Sequence, residues 1–181
     1  MSWKTTRNSV LFPPKLWTPT WMKVCTCGYW GDTRYPCRCP AQVIGLYRSR
    51  VPEPLLDRVH LHVEVPAVTL SELRALPGES SSTVAARIAA ARAVQAGRFG
   101  AGSTTRLNSA MGADEIRRHC ILDRGCRALL DAACEKLRLS ARAVDLALQV
   151  ARTFADLNGG GAIRPVHLAE AIQYKTYRRV T

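Results

Sequence analysis

The stretch CTCGYWGDTRYPCRC, residues 25–39, constrains this chain more than any other, because it places four cysteines as two Cys-x-Cys pairs around a nine-residue loop. Such a knot is a disulfide clasp, a redox centre or a metal site. Four thiolates suit Zn²⁺, which takes tetrahedral sulfur ligands and needs no redox partner. The usual zinc spacing is C-x₂-C or longer, and C-x-C is tighter. Gly28 and Gly31 permit the turn, and Arg34 and Arg38 offset the charge of a doubly negative four-thiolate site. The first reading is therefore structural zinc held by Cys25, Cys27, Cys37 and Cys39, with reduced structural thiols second and disulfide or redox use third. No secretory pattern opens the chain, which argues against a disulfide scaffold. Cys120, Cys126 and Cys134 are scattered through helical sequence and read as small buried hydrophobes.

Around the knot the sequence changes character twice. Pro13, Pro14 and Pro19 punctuate residues 1–24 and would interrupt a central strand there. PAQVIGLYRSR after the knot starts a helix near Pro40, with Val43, Ile44 and Tyr47 on one face. PEPLLDR reads as a short helical turn. VHLHVEV, residues 59–65, alternates Val59, Leu61, Val63 and Val65 with polar residues, the pattern of a half-buried strand. On it His60 and His62 share a side and read as solvent-facing, since no third metal ligand accompanies them. His119 and His167 are lone helix residues without an assigned role.

PGESSS, residues 77–82, marks a turn and a domain boundary. From there the pattern is helical: an Ala- and Arg-rich run from Thr83, then ADEIRRHCIL and DRGCRALLDAACEKLRL. Next comes a helix capped by Ser140, with Val144, Leu148, Ala151 and Phe154 at the helical period. NGGG supplies permissive glycines at its end, and the last helix starts at Pro165 with Leu168 and Ile172 four apart. Residues 1–76 and 77–181 are thus expected as two domains, the second a helical bundle.

Charge adds a partner class. The chain of 181 residues carries 26 basic and 14 acidic side chains, formally +12. Residues 1–50 hold eight basic residues against Asp32 alone, +7. Such a surface attracts polyanions, DNA first among them, although Arg-rich helices also arise without one. No apolar run is long enough to span a bilayer, so the expectation is a soluble cytoplasmic protein without membrane contact.

The order CTCGYWGD…CRCPAQ, YRSRVPEPLLDRVHLHVEVP, PGESS, LSARAVDLALQVARTFADL and IRPVHLAEAIQY resembles the C-terminal part of the magnesium-chelatase-like AAA+ ATPases, the competence-protein (ComM/YifB) group. The resemblance covers roughly residues 9–177. It implies a mainly α chain: the end of an AAA+ α/β core (Cys-rich loop, helix, strand) followed by the helical lid. It also implies membership of a ring-forming, ATP-driven DNA-remodelling group, with ring subunits and DNA as partners. Within it Arg58 corresponds to the arginine finger that reaches a neighbour's nucleotide, and Arg142 to the sensor 2 residue on ATP phosphate. The metal clip would brace the loop before the finger-bearing segment.

Three departures qualify this. No G-x-x-x-x-G-K-[ST] occurs, so the chain reads as lacking the phosphate loop and acidic metal strand, and ATP/Mg is not expected to bind tightly or be hydrolysed by it alone. Lys23 stands where the family has the sensor 1 Asn. His60 replaces a usual Asp. The competing expectations are a free-standing basic zinc module that binds DNA or protein, and a decayed fragment.

Overall fold

The computed structural model describes residues 25–32, 35–50, 57–63, 65, 68–75, 78–100 and 102–175. Pro13, Pro14, Pro19, Lys23 and Arg34, to which the sequence drew attention, lie outside them, as does most of PEPLLDR. Two compact units divide the chain, Met1–Arg50 and Val51–Thr181. The division falls upstream of the PGESSS turn.

In the first unit the cysteine loop leads into helix α1, Ala41–Arg48, with Pro40 at its N-cap. Proline there lacks an N–H that the helix could not have used. Of the expected face, Ile44 is buried, Tyr47 is half-buried and Val43 is exposed. One turn of burial is all that α1 provides.

The second unit contains α2 (Leu70–Leu73), α3 (Ser81–Phe99), a 3₁₀ turn (Asn108–Ala110), α4 (Ala113–His119), α5 (Arg124–Leu137), α6 (Ala141–Leu157) and α7 (Pro165–Lys175). Side chains start most of these helices. Thr69 and Glu72 close a capping box on α2, Ser80 caps α3, Asp123 caps α5 and Ser140 caps α6. Each supplies an acceptor for a backbone N–H that the first turn leaves unpaired. The NGGG stop behaves as its composition implies. Gly159, Gly160 and Gly161 all have φ near +88°, and Gly160 N–H returns to Ala155 O at 2.9 Å. α5 ends differently, on Arg138 in the left-handed region at φ +50°.

Helix α6 is the hub, packed on α3, the 3₁₀ turn, α4 and α7, while α5 lies against α7. Leu148 and Ala151 from α6 join Met111, Ile116, Cys126, Ile163, Leu168 and Ile172 in one apolar core, and Val144 and Phe154 pack on its margin. Leu168 and Ile172 meet it together because residues four apart share a helix face. Cys120 and Cys126 are buried as small hydrophobes, and Cys134 is half-buried. Burial pushes both buried thiols up to about 11.

The half-buried strand expected at 59–65 does not form, and the described residues contain no strand. Val63 and Val65 are 64% and 67% exposed. His62 N–H donates to Tyr174 O at 2.7 Å, near the end of α7. Alternation prepares a segment for a sheet, but a ladder needs a second extended chain. The neighbour here is a helix end, whose last carbonyls can take one donor each but cannot propagate a ladder.

Candidate metal centre and arginine corner

The four cysteines of the loop converge. Their sulfurs all lie within 4.8 Å of one another, and Cys25, Cys27 and Cys37 are 3.4–3.6 Å apart. All seven cysteines are free thiols. Four sulfurs around one tetrahedral ion at about 2.3 Å would stand about 3.8 Å apart, so the cluster needs only small adjustments to hold a metal. Gly28 and Gly31 make the return turn, with φ of +84° and +82°. A side chain would be strained in that region, which explains glycine at both positions. Gly28 N–H points to Cys25 Sγ at 3.3 Å, and Thr26 Oγ1 lies 3.1 Å from Cys39 Sγ.

These contacts already spread the protons unevenly. The Thr26 hydroxyl, with help from Cys27, lowers Cys39 to about 6. The backbone of Cys39 pulls Cys37 down, but burial and its neighbouring thiols outweigh that and push it up to about 12. Burial alone would raise Cys25, yet hydrogen bonds from Cys27, Cys37 and backbone amides lower it overall. The loop thus stabilises thiolate at some sulfurs and thiol at others. A divalent ion would relieve this competition by displacing the remaining protons.

In the helical unit, Asp57 and Arg58 form a short helical turn tied down at two points. Ser140 Oγ donates to both carboxylate oxygens of Asp57, at 3.1 and 3.3 Å. Lys175 Nζ donates to Asp57 O at 2.7 Å and Val59 O at 2.9 Å. Arg58 is exposed between these fixed carbonyls, and Arg142 is exposed in the first turn of α6, two residues after Ser140. Neither guanidinium forms an ion pair among the described residues. A cation in a helix's first turn opposes the macrodipole, and α6 has no acidic residue there to compensate. Lys175 is buried, which lowers its pKa; Asp57 acts against that and Arg142 adds to it.

The sequence drew attention to both arginines but showed neither the Lys175 clamp nor the Asp57–Ser140 link. Their partners lie 118 and 83 residues apart. His60 also differs from its expected solvent-facing place. Its Nε2 is buried, as is Gln149 Oε1, and neither meets strict hydrogen-bond geometry. Burial lowers the His60 pKa, Gln149 pulls it back, and the charges of Lys175 and Arg142 lower it further. Among the described residues, Cys25, Cys27, Cys37 and Cys39 are the group of three or more ligand side chains that could hold a metal ion, and it includes neither His60 nor His62.

A second polar cluster, also missed, lies inside the bundle. Asp156 has a fully buried side chain. It accepts from both terminal nitrogens of Arg98, from Arg152 at 3.1–3.2 Å and from Asn108 Nδ2 at 2.7 Å. Arg152 also donates to Gly161 O at 2.6 Å. Burial raises the Asp156 pKa, but the bonds from Arg98 and Asn108 and the charges of Arg98 and Arg152 leave it below the usual range. This cluster pins the 3₁₀ turn and the glycine stop to α6, and every oxygen of the carboxylate is occupied. It is structural.

A four-cysteine loop that could hold a metal ion, and, in the other unit, a capped helical bundle of the AAA+ lid type, define the class of this chain. Comparison with known proteins makes this specific. The model of the magnesium chelatase subunit ChlI C-terminal region matches residues 78–175, and that of magnesium chelatase subunit ChlI matches 2–73. The chain belongs to the magnesium-chelatase, subunit ChlI, family. It is 33% identical over 173 residues to the competence protein ComM of Haemophilus influenzae, covering 94% of this chain and 33% of that one. Identity to the uncharacterised protein YifB of Escherichia coli is 33% over 177 residues, 97% of this chain and 34% of that one. An uncharacterised protein of Mycobacterium tuberculosis is 32% identical over 139 residues, 77% of this chain and 27% of its own. The chain spans about a third of the length of the first two relatives. No helix among the described residues is long and apolar enough to cross a membrane.

Proposed function

We propose that this chain serves an ATP-driven, DNA-remodelling AAA+ ring, offering Arg58 in trans to a neighbouring subunit's nucleotide and Arg142 in cis as sensor 2. The observation that carries the reading is the double tether of the Arg58 turn. Lys175 fixes the carbonyls on either side of Arg58, and Asp57 is bonded to the Ser140 cap of the helix that bears Arg142. A planar, permanently charged group neutralises charge spreading over transferred phosphoryl oxygens only if its backbone is held still. Arg142 adds its charge to the positive end of α6, a corner that attracts phosphate. The sequence holds no G-x-x-x-x-G-K-[ST], so the chain by itself is expected neither to bind ATP tightly nor to hydrolyse it. Zinc in the Cys25–Cys27–Cys37–Cys39 site would order the loop and take no part in phosphoryl transfer.

The test is the ATPase of an intact relative that carries its own phosphate loop, measured while this protein is titrated in. A rate change that disappears with Arg58→Ala supports the ring role; hydrolysis by this chain alone would overturn it. If the titration is inert, the reading also fails, and the basic zinc module or the decayed fragment remains. The thiolate cluster and the +7 charge of residues 1–50 favour the module.

A further inference from the structure

The metal loop displays two aromatic rings that its own folding does not use. Tyr29 and Tyr35 are 46% and 57% exposed, with centroids 5.4 Å apart and planes tilted by 48°. Together with Cys27, Pro36 and Arg38 they wall an open cleft of about 320 Å³. Both tyrosines are braced by the Asp32 turn. Asp32 N–H donates to Tyr29 O at 3.1 Å, and Asp32 Oδ1 accepts from Tyr35 N–H at 3.2 Å. The four sulfurs close the loop on the other side, and Cys27 belongs to both the metal cluster and the cleft. The rings are therefore presented on fixed backbone, which lowers the entropy lost when something stacks on them.

The chemistry of the cleft selects its occupant. Aromatic faces next to a guanidinium accept a flat ring joined to an anion. Residues 1–50 carry +7, so a polyanion is favoured over an acid-poor peptide. Two rings at 5.4 Å stand too close for a base to slip between them, since that needs roughly 7 Å, twice the ~3.4 Å stacking distance. A base can instead lie on one ring's open face with its edge against the other. Duplex DNA hides its base faces in the stack, whereas a single strand offers them.

We propose that the Tyr29–Tyr35 cleft of the metal-closed loop binds single-stranded DNA, stacking a base on the tyrosines and taking an adjoining phosphate at Arg38. This deepens the DNA-remodelling reading and rests on it, by naming the surface that meets the strand. Any exposed base can occupy the platform, so binding is sequence-tolerant.

The test uses the full-length, zinc-loaded chain and three probes: a dT₁₂ oligonucleotide, the same backbone without bases, and a 12-base-pair duplex. Stacking is worth a factor of roughly 5–150 per base, so dT₁₂ should bind at least several-fold tighter than the abasic strand. Preference for dT₁₂ over the abasic strand should vanish in Tyr29→Ala/Tyr35→Ala and persist in Tyr29→Phe/Tyr35→Phe, because stacking needs the ring and not the hydroxyl. Arg38→Gln should reduce the slope of log K against log [salt] by about 0.7, one phosphate contact on a single strand. Zinc content is measured on each variant. Should the alanine variant lose its metal, the dT₁₂-to-abasic ratio of the wild type decides alone. Equal binding of dT₁₂ and abasic strand overturns the proposal while leaving DNA binding intact, as does tighter binding of the duplex. No binding of any probe overturns this proposal and the DNA reading together.

Discussion

The two units solve the same problem with different materials. Among the described residues of the first, Cys25 and Ile44 are the buried apolar side chains; the second buries Leu146, Leu148, Ile163, Leu168 and Ile172 around a continuous core. Apolar burial is worth about 25 cal/mol per Å², while ordering a residue costs about 1–2 kcal/mol. A fifteen-residue loop with so little burial cannot offset its ordering, and a metal with four thiolates can supply the difference. The helical unit needs none, since capped helices and a shared core suffice. The exposed side chains follow the same division: the cysteine loop shows Tyr29 and Tyr35, and the helical unit shows Arg58 and Arg142.

Metal removal should give the largest effect and tests the comparison directly. Protein purified without added metal should contain about one zinc per chain by elemental analysis. Chelation should abolish amide protection over residues 25–39 and leave that of 81–175 unchanged by hydrogen exchange. Less than a tenth of a zinc per chain, or equal loss in both units, would remove the distinction.

Within the bundle, Asp156→Ala strands Arg98 and Arg152 near a dry carboxylate site and should cost about 3–5 kcal/mol in urea denaturation. A loss below 1 kcal/mol would mean that the apolar core alone holds the unit.

Acid should weaken the bundle by a smaller amount. His167 is buried beneath Arg164 N–H and Asn158, and burial together with the charges of Arg164 and Arg152 lowers its pKa. The unfolded chain therefore takes up a proton first, near pH 6.5, and stability falls as pH drops from there toward the folded value. The Asp156 contribution is lost in its turn below about pH 4. Urea midpoints of the chelated protein should be lower at pH 5.5 than at pH 8, and the reverse order would contradict the burial of His167.

The smallest change is a gain. Arg138→Gly relieves a left-handed backbone at the end of α5. After glycine's own entropic cost, up to about 1 kcal/mol of added stability should remain, readable as a raised melting temperature.

What the sequence determined was local or spelled out by spacing. Ser80, Ser140 and the NGGG stop mark helix ends because a cap or a left-handed turn acts within four residues. Leu168 and Ile172 share a face by helical geometry, and the Cys-x-Cys pairs meet because two glycines turn the nine residues between them. Thr69–Glu72 was just as legible, as the T-x-x-E of a capping box, but it follows residues 59–65, whose strand-like alternation is the stronger local pattern. That alternation misled because pleating is only half of a strand. The other half is a pairing chain, and residues 59–65 meet the end of α7 instead. Only the tertiary structure could bring Lys175 to the Arg58 turn, Asp57 to Ser140, and Arg98 and Asn108 to the carboxylate that Arg152 already meets one helical turn away. Charges and carbonyls separated by tens of residues carry no periodicity that announces a partner, and their pairing is settled by which surfaces the packed helices leave dry.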